Sequence, residues 1–354
     1  MAKKSANSNL HKAKDSKKDE FYTQLSDIEN ELKHYKAHFK GKIVYCNCDD
    51  PRVSNFFHYF SYNFEKLGLK KLIATCYKNQ NMDLFSENNS EQAIYLIYEG
   101  DKNGNNLPDP NEIQVKPLNG DGDFRSKECI ELLKESDIVV TNPPFSLFRE
   151  YVAQLFEYDK KFLIIGNLNA LTYRDIFKHV KENKMWFGQS IHSGDREFQV
   201  PTDYPLNAAG SRIDNDGNKF IRVKGVRWYT NMDFNERHED LILYKNYNEV
   251  EYPKYENFEA INVDVTKKIP FDYKGIMGVP ITFIDKFNPD QFEIIGLGIS
   301  NSGIEVGVKP YKAEHKKYRK EIQKRGAVDG DLYMIVNGIV DVPYARILIR
   351  SKRS

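Results

Sequence analysis

The chain has 354 residues, 40% of them hydrophobic and 29% charged, enough for one large or two modest globular units with a sizeable core. No apolar run is long enough to span a membrane, and no secretory signal opens the sequence, so Cys46, Cys48, Cys76 and Cys129 are expected to be reduced thiols of a cytoplasmic protein. The formal net charge of +1 conceals basic ends: residues 1–18 carry +5 and residues 309–354 carry +7, leaving an acidic body. Basic ends suit a polyanionic partner, although solvated tails and helix faces give the same pattern.

Residues 1–18 are rich in Lys, Ser and Asn and are expected to be a disordered basic tail. A helix follows over Asp27–Phe39, with Ile28, Leu32, Tyr35 and Phe39 on one face. From Lys42 the pattern alternates. Lys42–Cys48 reads as a strand, Ser54–Leu67 as a helix with Ser54 at its N-cap, and Lys71–Tyr77 as a strand. Residues 79–118 are irregular, with a short strand at Ala93–Tyr98. The alternation resumes with a helix at Glu128–Lys134, a buried strand at Asp137–Thr141 and a helix at Leu147–Tyr158. A strand at Phe162–Ile165, a helix at Tyr173–Asn183 and a strand at Met185–Phe187 complete it. Repeated strand–helix units imply an α/β fold, a parallel sheet with helices on both faces. Beyond 190 the rhythm stops. The turn Asn215-Asp216-Gly217-Asn218 leads into a strand at Phe220–Trp228, and residues 191–354 read as a smaller, irregular module.

The most informative residues are Asn142-Pro143-Pro144-Phe145, directly after the apolar strand Ile138-Val139-Val140-Thr141. Ligand sites in open parallel sheets lie at the carboxyl ends of strands. The same residues would also make a stiff exit turn. Their chemistry suits transfer to a planar amino group. The Asn142 side-chain oxygen and the Pro143 carbonyl can accept hydrogen bonds from an NH₂, freeing a lone pair otherwise delocalised into the ring. The prolines hold these acceptors preorganised, and Phe145 offers a face for a base to stack on.

Together with Asp19–Gln24, Tyr45–Phe57, Gly120–Ser126, Ile138–Phe148, Tyr252–Tyr255, Ala260–Val263 and Gly278–Phe283, this loop resembles the amino-methyltransferase superfamily, and within it the EcoRI-type adenine-specific DNA methyltransferases. The resemblance covers most of residues 10–295 and the strand around Tyr344–Arg350, with 297–340 reading as an insertion. It implies a seven-stranded Rossmann-like sheet that binds S-adenosylmethionine over residues 19–190, followed by a target-recognition region with the remaining strands in 191–354. It implies that Phe21, Tyr22 and Thr23 lie near the methionine end of that cofactor. Asn47, Cys48, Asp49 and Asp50 occupy the place of the usual Gly-rich loop, with Asp49 or Asp50 on its ammonium, and Asp121 or Asp123 with Phe124 hold its adenine. The family's namesake target is the palindrome GAATTC.

Each residue set also has a plainer role. Asp49-Asp50-Pro51 can cap the following helix, Gly120–Asp123 can be an ordinary turn, Phe21 and Tyr22 can anchor the core, and the cysteines can be strand packing. For contact with duplex DNA the candidates are Arg222, Lys224 and Arg227, beside Trp228 and Tyr229, and the basic run Lys316, Lys317, Arg319. The expected protein is a monomer that needs no metal for methyl transfer. The competing readings are an N-methyltransferase acting on RNA or a protein amide, and a DNA-binding or nuclease component using Asp49 with Asp50, or Asp121 with Asp123, around Mg²⁺.

Overall fold

The computed structural model describes residues 22–48, 54–75, 93–105, 107–192, 194–200, 204, 206 and 210–353. The chain divides into two compact units, residues 1–168 with 187–233, and residues 169–186 with 234–354.

The first unit carries helices α1 (Leu25–Leu32), α2 (Asn55–Tyr62), α3 (Phe64–Leu67), α4 (Lys127–Glu135) and α5 (Phe148–Glu157). Its strands are β1 (Ile43–Cys46), β2 (Lys71–Thr75), β3 (Ile94–Tyr98), β4 (Gln114–Pro117), β5 (Ile138–Thr141), β6 (Lys161–Asn167), β7 (Trp186–Phe187, of which Trp186 is assigned to the second unit), β8 (Asp195–Val200), β9 (Arg212–Ile213), β10 (Lys219–Lys224) and β11 (Val226–Thr230). An eight-stranded sheet has the order β4-β3-β2-β1-β5-β6-β11-β7. β2, β1, β5 and β6 run parallel to one another, while β3 pairs antiparallel with β2 and β4, and β11 pairs antiparallel with β6. The sheet is therefore mixed, and it has one strand more than the seven that the resemblance implies. Every residue of β1 and β5 is buried, so both faces of the sheet centre are covered, as the near-continuous apolar runs require.

The first helix ends at Leu32, before the predicted Phe39. Backbone bonds from His34 to Glu31 and from Tyr35 to Leu32 tighten it into 3₁₀ turns, yet Ile28, Leu32, Tyr35 and Phe39 are all fully buried as their spacing demands. Ser54 stands at the N-cap of α2, but its hydroxyl makes no capping bond to that helix. The predicted strand Phe220–Trp228 is two strands. β10 pairs with β8 in a separate three-stranded sheet, β8-β10-β9, and β11 joins β6 in the large sheet. Gly225 makes the switch with φ +70°, a conformation that costs glycine little.

The second unit contains α6 (Arg174–Lys181), α7 (Ser300–Glu305) and α8 (Ala313–Glu321). Strands β12 (Ile261–Asn262), β13 (Met277–Pro280), β14 (Phe292–Gly298) and β17 (Arg346–Ser351) form a sheet of order β12-β13-β17-β14, and β15 (Met334–Val336) pairs with β16 (Ile339–Asp341). Helix α6, which reads as part of the repeating α/β pattern, belongs here, and its Arg174 pairs with Glu305 at 3.0 Å. Tyr311, Ala327, Tyr333 and Val340 make a small core of their own, with Tyr311 and Tyr333 stacked at 4.3 Å.

Gly166 on β6 fixes how α5 sits. A Cβ there would lie 2.5 Å from the Phe148 ring and 2.9 Å from Tyr229. Phe148 opens the helix that follows the Asn-Pro-Pro-Phe loop, so the missing side chain lets that helix dock. Gly166→Ala is expected to destabilise the protein by about 1–3 kcal/mol through overpacking. Urea unfolding of the variant measures this, and an unchanged midpoint would show that the ring moves aside freely.

Candidate active site

Asn142 follows the last residue of β5 and is 5% exposed. Pro143 is buried, while Pro144 and Phe145 are half-buried. Two prolines end the strand and deliver the chain into the 3₁₀ turn Phe145–Leu147 and then α5. The predicted loop thus stands at the carboxyl end of a fully buried parallel strand, with both amide acceptors on a stiff backbone.

The end of β1 is tied to this loop. The Thr141 hydroxyl donates to the Asn47 carbonyl, and the Tyr151 hydroxyl on α5 donates to the Asn47 side-chain oxygen. Burial pushes the Tyr151 phenol well above its ordinary range, so it stays a neutral donor. Next to Asn47, Cys48 has φ +80°. This is left-handed backbone, normally glycine's, at the place where related folds carry a Gly-rich turn. The sequence shows no such glycine, but the backbone takes a glycine-like shape there nonetheless.

Thr23 reaches the same region. Its carbonyl accepts from Asn55 Nδ2 at 2.7 Å, and Asn55 is the first residue of α2, the helix after the β1 loop. Thr23 is 2% exposed, and its hydroxyl has no hydrogen-bond partner among the described residues. Buried hydroxyls are seldom left so, and a bound polar ligand is one way to satisfy this one. Tyr22 bridges to Gln199 of β8 through paired backbone bonds of 2.8 and 3.2 Å. Phe21, Asp49 and Asp50 lie outside the described residues.

The Gly120–Phe124 segment is positioned by α4 and α5. Glu128 accepts from the backbone N–H groups of Asn119 and Gly120 at 3.1 and 2.8 Å, and Ser126 caps α4 by accepting from the Cys129 N–H at 3.3 Å. Phe124 is buried edge-on against Tyr151, with ring centroids 5.0 Å apart, so its face is a core contact as well as a candidate wall. The Asp123 carboxylate is engaged by the Arg125 guanidinium at 2.9 and 2.7 Å, which holds its carboxyl below the usual range. Asp121 is exposed and accepts from the Asp123 N–H at 3.0 Å. Of the two acids, Asp121 is the one with no guanidinium bonded to it among the described residues.

The basic candidates separate. Arg222 and Lys224 are exposed on β10, with Arg222 3.8 Å from Glu197. Arg227 is 3% exposed and donates to the carbonyls of Val226 and His192, so it braces the interior. Trp228 and Tyr229 are fully buried, Trp228 edge-on to Phe56 and Tyr229 against Phe148 and Phe187. On α8, Lys316 is held by Asp329 at 2.7 Å and Arg319 by the Gly326 carbonyl at 2.8 Å, while Lys317 is exposed. No group of three or more His, Cys, Asp or Glu among the described residues is arranged to hold a metal ion, and no helix of these is long and apolar enough to cross a membrane.

A rigid amide-bearing loop at the carboxyl end of a central strand, locked to the turn after β1, defines a methyltransferase of the amino-group type. The chain belongs to the family described as adenine-specific methyltransferase EcoRI, whose profile matches residues 9–352. It is 50% identical to the Type II methyltransferase M.EcoRI of Escherichia coli over 355 aligned residues, covering 100% of this chain and 99% of that protein. It is 42% identical to the Type II methyltransferase M.MpnI of Mycoplasma pneumoniae over 290 residues, 81% of this chain and 84% of that one. The Type II methyltransferase M.MgeORF184P of Mycoplasma genitalium is 40% identical over 291 residues, 81% of this chain and 85% of that protein. Because the alignment with M.EcoRI spans both chains almost entirely, residues 297–340 are not an insertion relative to that protein.

Asp123 gives a pH signature. A carboxyl whose folded value is depressed stabilises the fold above its unfolded value and loses that contribution as pH falls through the folded one. Asp123→Asn is expected to lower stability at neutral pH, with the deficit shrinking as pH drops towards and below 3.8, the ordinary Asp value. Urea midpoints of both proteins between about pH 7 and 3.5 measure it. A deficit independent of pH would mean that Arg125 contributes packing and not charge.

Proposed function

We propose that this protein transfers a methyl group from S-adenosylmethionine to the exocyclic N6 of an adenine flipped out of duplex DNA, as the modifying half of a Type II restriction–modification system. The observation that carries this reading is the placement of Asn142-Pro143-Pro144-Phe145 at the end of buried β5, fastened through Thr141 to Asn47. The cofactor supplies an electrophilic methyl. The buried Thr23 hydroxyl and the ends of β1 and β5 fit a polar ligand of that kind, with Tyr22, Thr23, Asn47, Cys48 and Asp121 as its contacts. Asp123 and Phe124 then act mainly by shaping the wall through Arg125 and Tyr151.

Asn142 Oδ1 and the Pro143 carbonyl accept hydrogen bonds from the adenine NH₂. These acceptors would pyramidalise the nitrogen and free its lone pair for the methyl, with the bond to the cofactor's sulfur breaking to leave S-adenosylhomocysteine as the N–C bond forms, and one amino proton passing to solvent. Phe145, half-buried at the rim, stacks on the extruded base and returns about 1–3 kcal/mol of the cost of unstacking it. Burial of the amide keeps water from competing for its oxygen.

Labelled methyl transfer to a duplex carrying GAATTC, with a scrambled duplex as control, tests the reading. We expect N6-methyladenine as the labelled nucleoside, and Asn142→Ala is expected to lower turnover by about 10³-fold or more with little change in cofactor affinity. Label in RNA or protein, or full activity of Asn142→Ala, would overturn it.

Phosphate contacts are proposed for Arg222 and Lys224. Replacing both with Ala is expected to weaken DNA binding and to reduce the log–log salt slope by about 1 for each phosphate no longer neutralised. Arg227→Ala is expected to reduce stability instead, and equal salt slopes for all three proteins would remove β10 from the interface.

A further inference from the structure

The connection between β3 and β4 reads Asp101-Lys102-Asn103-Gly104-Asn105-Asn106-Leu107-Pro108-Asp109-Pro110-Asn111-Glu112. Oxygen-bearing side chains stand at positions 1, 3, 5, 6, 9, 11 and 12 of twelve, and those at 1, 3, 5, 9 and 12 match the ligand spacing of a calcium loop, with the peptide carbonyl of position 7 as the sixth donor. Position 6, glycine in the common pattern, is Asn106 here, which lies outside the described residues. The spacing is a property of the sequence alone and already names a ligand.

An independent observation concerns charge. Glu112, at position 12, is 6% exposed, and its partners are the backbone N–H groups of Lys102 at 2.7 Å and of Asn103 and Asp109 at 3.2 Å. Neither it nor Asp109 pairs with a Lys or Arg among the described residues. Three backbone N–H groups offset part of the cost of burying this carboxylate, and a cation would offset more of it. The neighbouring Tyr98 reports the same excess: burial and then the charges of Glu112, Asp101, Glu65 and Asp109 push its phenol up to about 12. The Asn103 and Asn105 oxygens each accept one backbone N–H, at 3.0 and 2.8 Å, and each keeps a second lone pair. Their amide N–H groups point to Asp109 Oδ2, the bonds an arriving ion would replace. Among the described residues no group of three or more His, Cys, Asp or Glu is already arranged to hold a metal, so Asp101, Asp109 and Glu112 have to draw together as the ion arrives. A calcium shell does not rely on them alone, because two amides and a peptide carbonyl complete it.

We propose that residues 101–112 bind one calcium ion through Asp101, Asn103, Asn105, the Leu107 carbonyl, Asp109 and Glu112. The role of the ion is structural. Tyr98 pairs with Leu72 at the amino end of β2, so the loop leaves the sheet at the edge opposite the carboxyl ends that carry Asn47 and Asn142. Glu65 on α3 accepts from the Asp101 N–H at 3.2 Å, so ordering the loop also secures that helix. The proposal does not rest on the substrate assigned above, and methyl transfer needs no metal in either case.

The test is calorimetric titration of the metal-stripped full-length protein with calcium chloride and, separately, magnesium chloride, together with melting curves. One calcium per chain is expected, with a dissociation constant of about 10⁻⁶–10⁻³ M, a raised Tm, and magnesium weaker by about tenfold or more. Asp101→Asn and Glu112→Gln are each expected to weaken calcium binding by about tenfold or more. Should the buried Glu112→Gln variant fail to fold, Asp101→Asn, at a half-buried position of the loop, carries the comparison. No heat and no shift in Tm at about 10 mM calcium, or binding undiminished in the folded variants, would overturn the proposal.

Discussion

Asn47 joins the two strand ends on which the site is built. Its carbonyl takes the Thr141 hydroxyl and its side chain takes the Tyr151 hydroxyl, so β1, β5 and α5 converge on one residue. Tyr151 in turn holds the Phe124 ring, and Gln154 on the same helix donates to the Phe124 carbonyl at 3.1 Å. Segments more than ninety residues apart in sequence are thereby given a common reference point. Catalysis by preorganised acceptors depends on such fixing, because an amide that must reorganise during the reaction returns much of its advantage.

A second tie brings in the amino-terminal segment. Glu31 on α1 is fully buried and accepts from the backbone N–H groups of Gln189 and Ser190 at 2.9 and 2.7 Å and from the Tyr35 hydroxyl at 2.8 Å. Tyr22, on the chain leading into that helix, extends the β8 edge. The same short stretch thus touches both the β1–α2 connection, through Thr23, and the sheet that displays Arg222 and Lys224.

Much of this was legible in the sequence. An apolar tetrapeptide followed by Asn-Pro-Pro-Phe has few structural interpretations, so its position at the end of a buried strand was readable from residue types alone. The spacing of Ile28, Leu32, Tyr35 and Phe39 foretold a buried face even though the helix itself stops early. Other features were hidden for physical reasons. Gly225 looks like a gap in one strand because a left-handed residue has no signature of its own when the flanking residues are all β-formers. The interior role of Arg227, Trp228 and Tyr229 depends on which sheet β11 joins, a long-range choice that local pattern does not encode. The interleaving of the two units, with α6 assigned away from its neighbours in sequence, is likewise a matter of tertiary packing. Residues 101–112 show the opposite failure, since their spacing was present but was submerged in a stretch of Asn, Gly and Pro that reads simply as loop.

Cys48 gives the turn after β1 an unusual mechanical character. A glycine there would adopt left-handed backbone at no cost and would as readily leave it. A residue with a Cβ is under tension in that shape, and what keeps it there is the clamp on either side of Asn47. The shape of Cys48 is set by its neighbours, and loosening the Tyr151 or Thr141 grip on Asn47 would let this residue relax. Rigidity that related folds obtain by permitting a shape is here obtained by enforcing one.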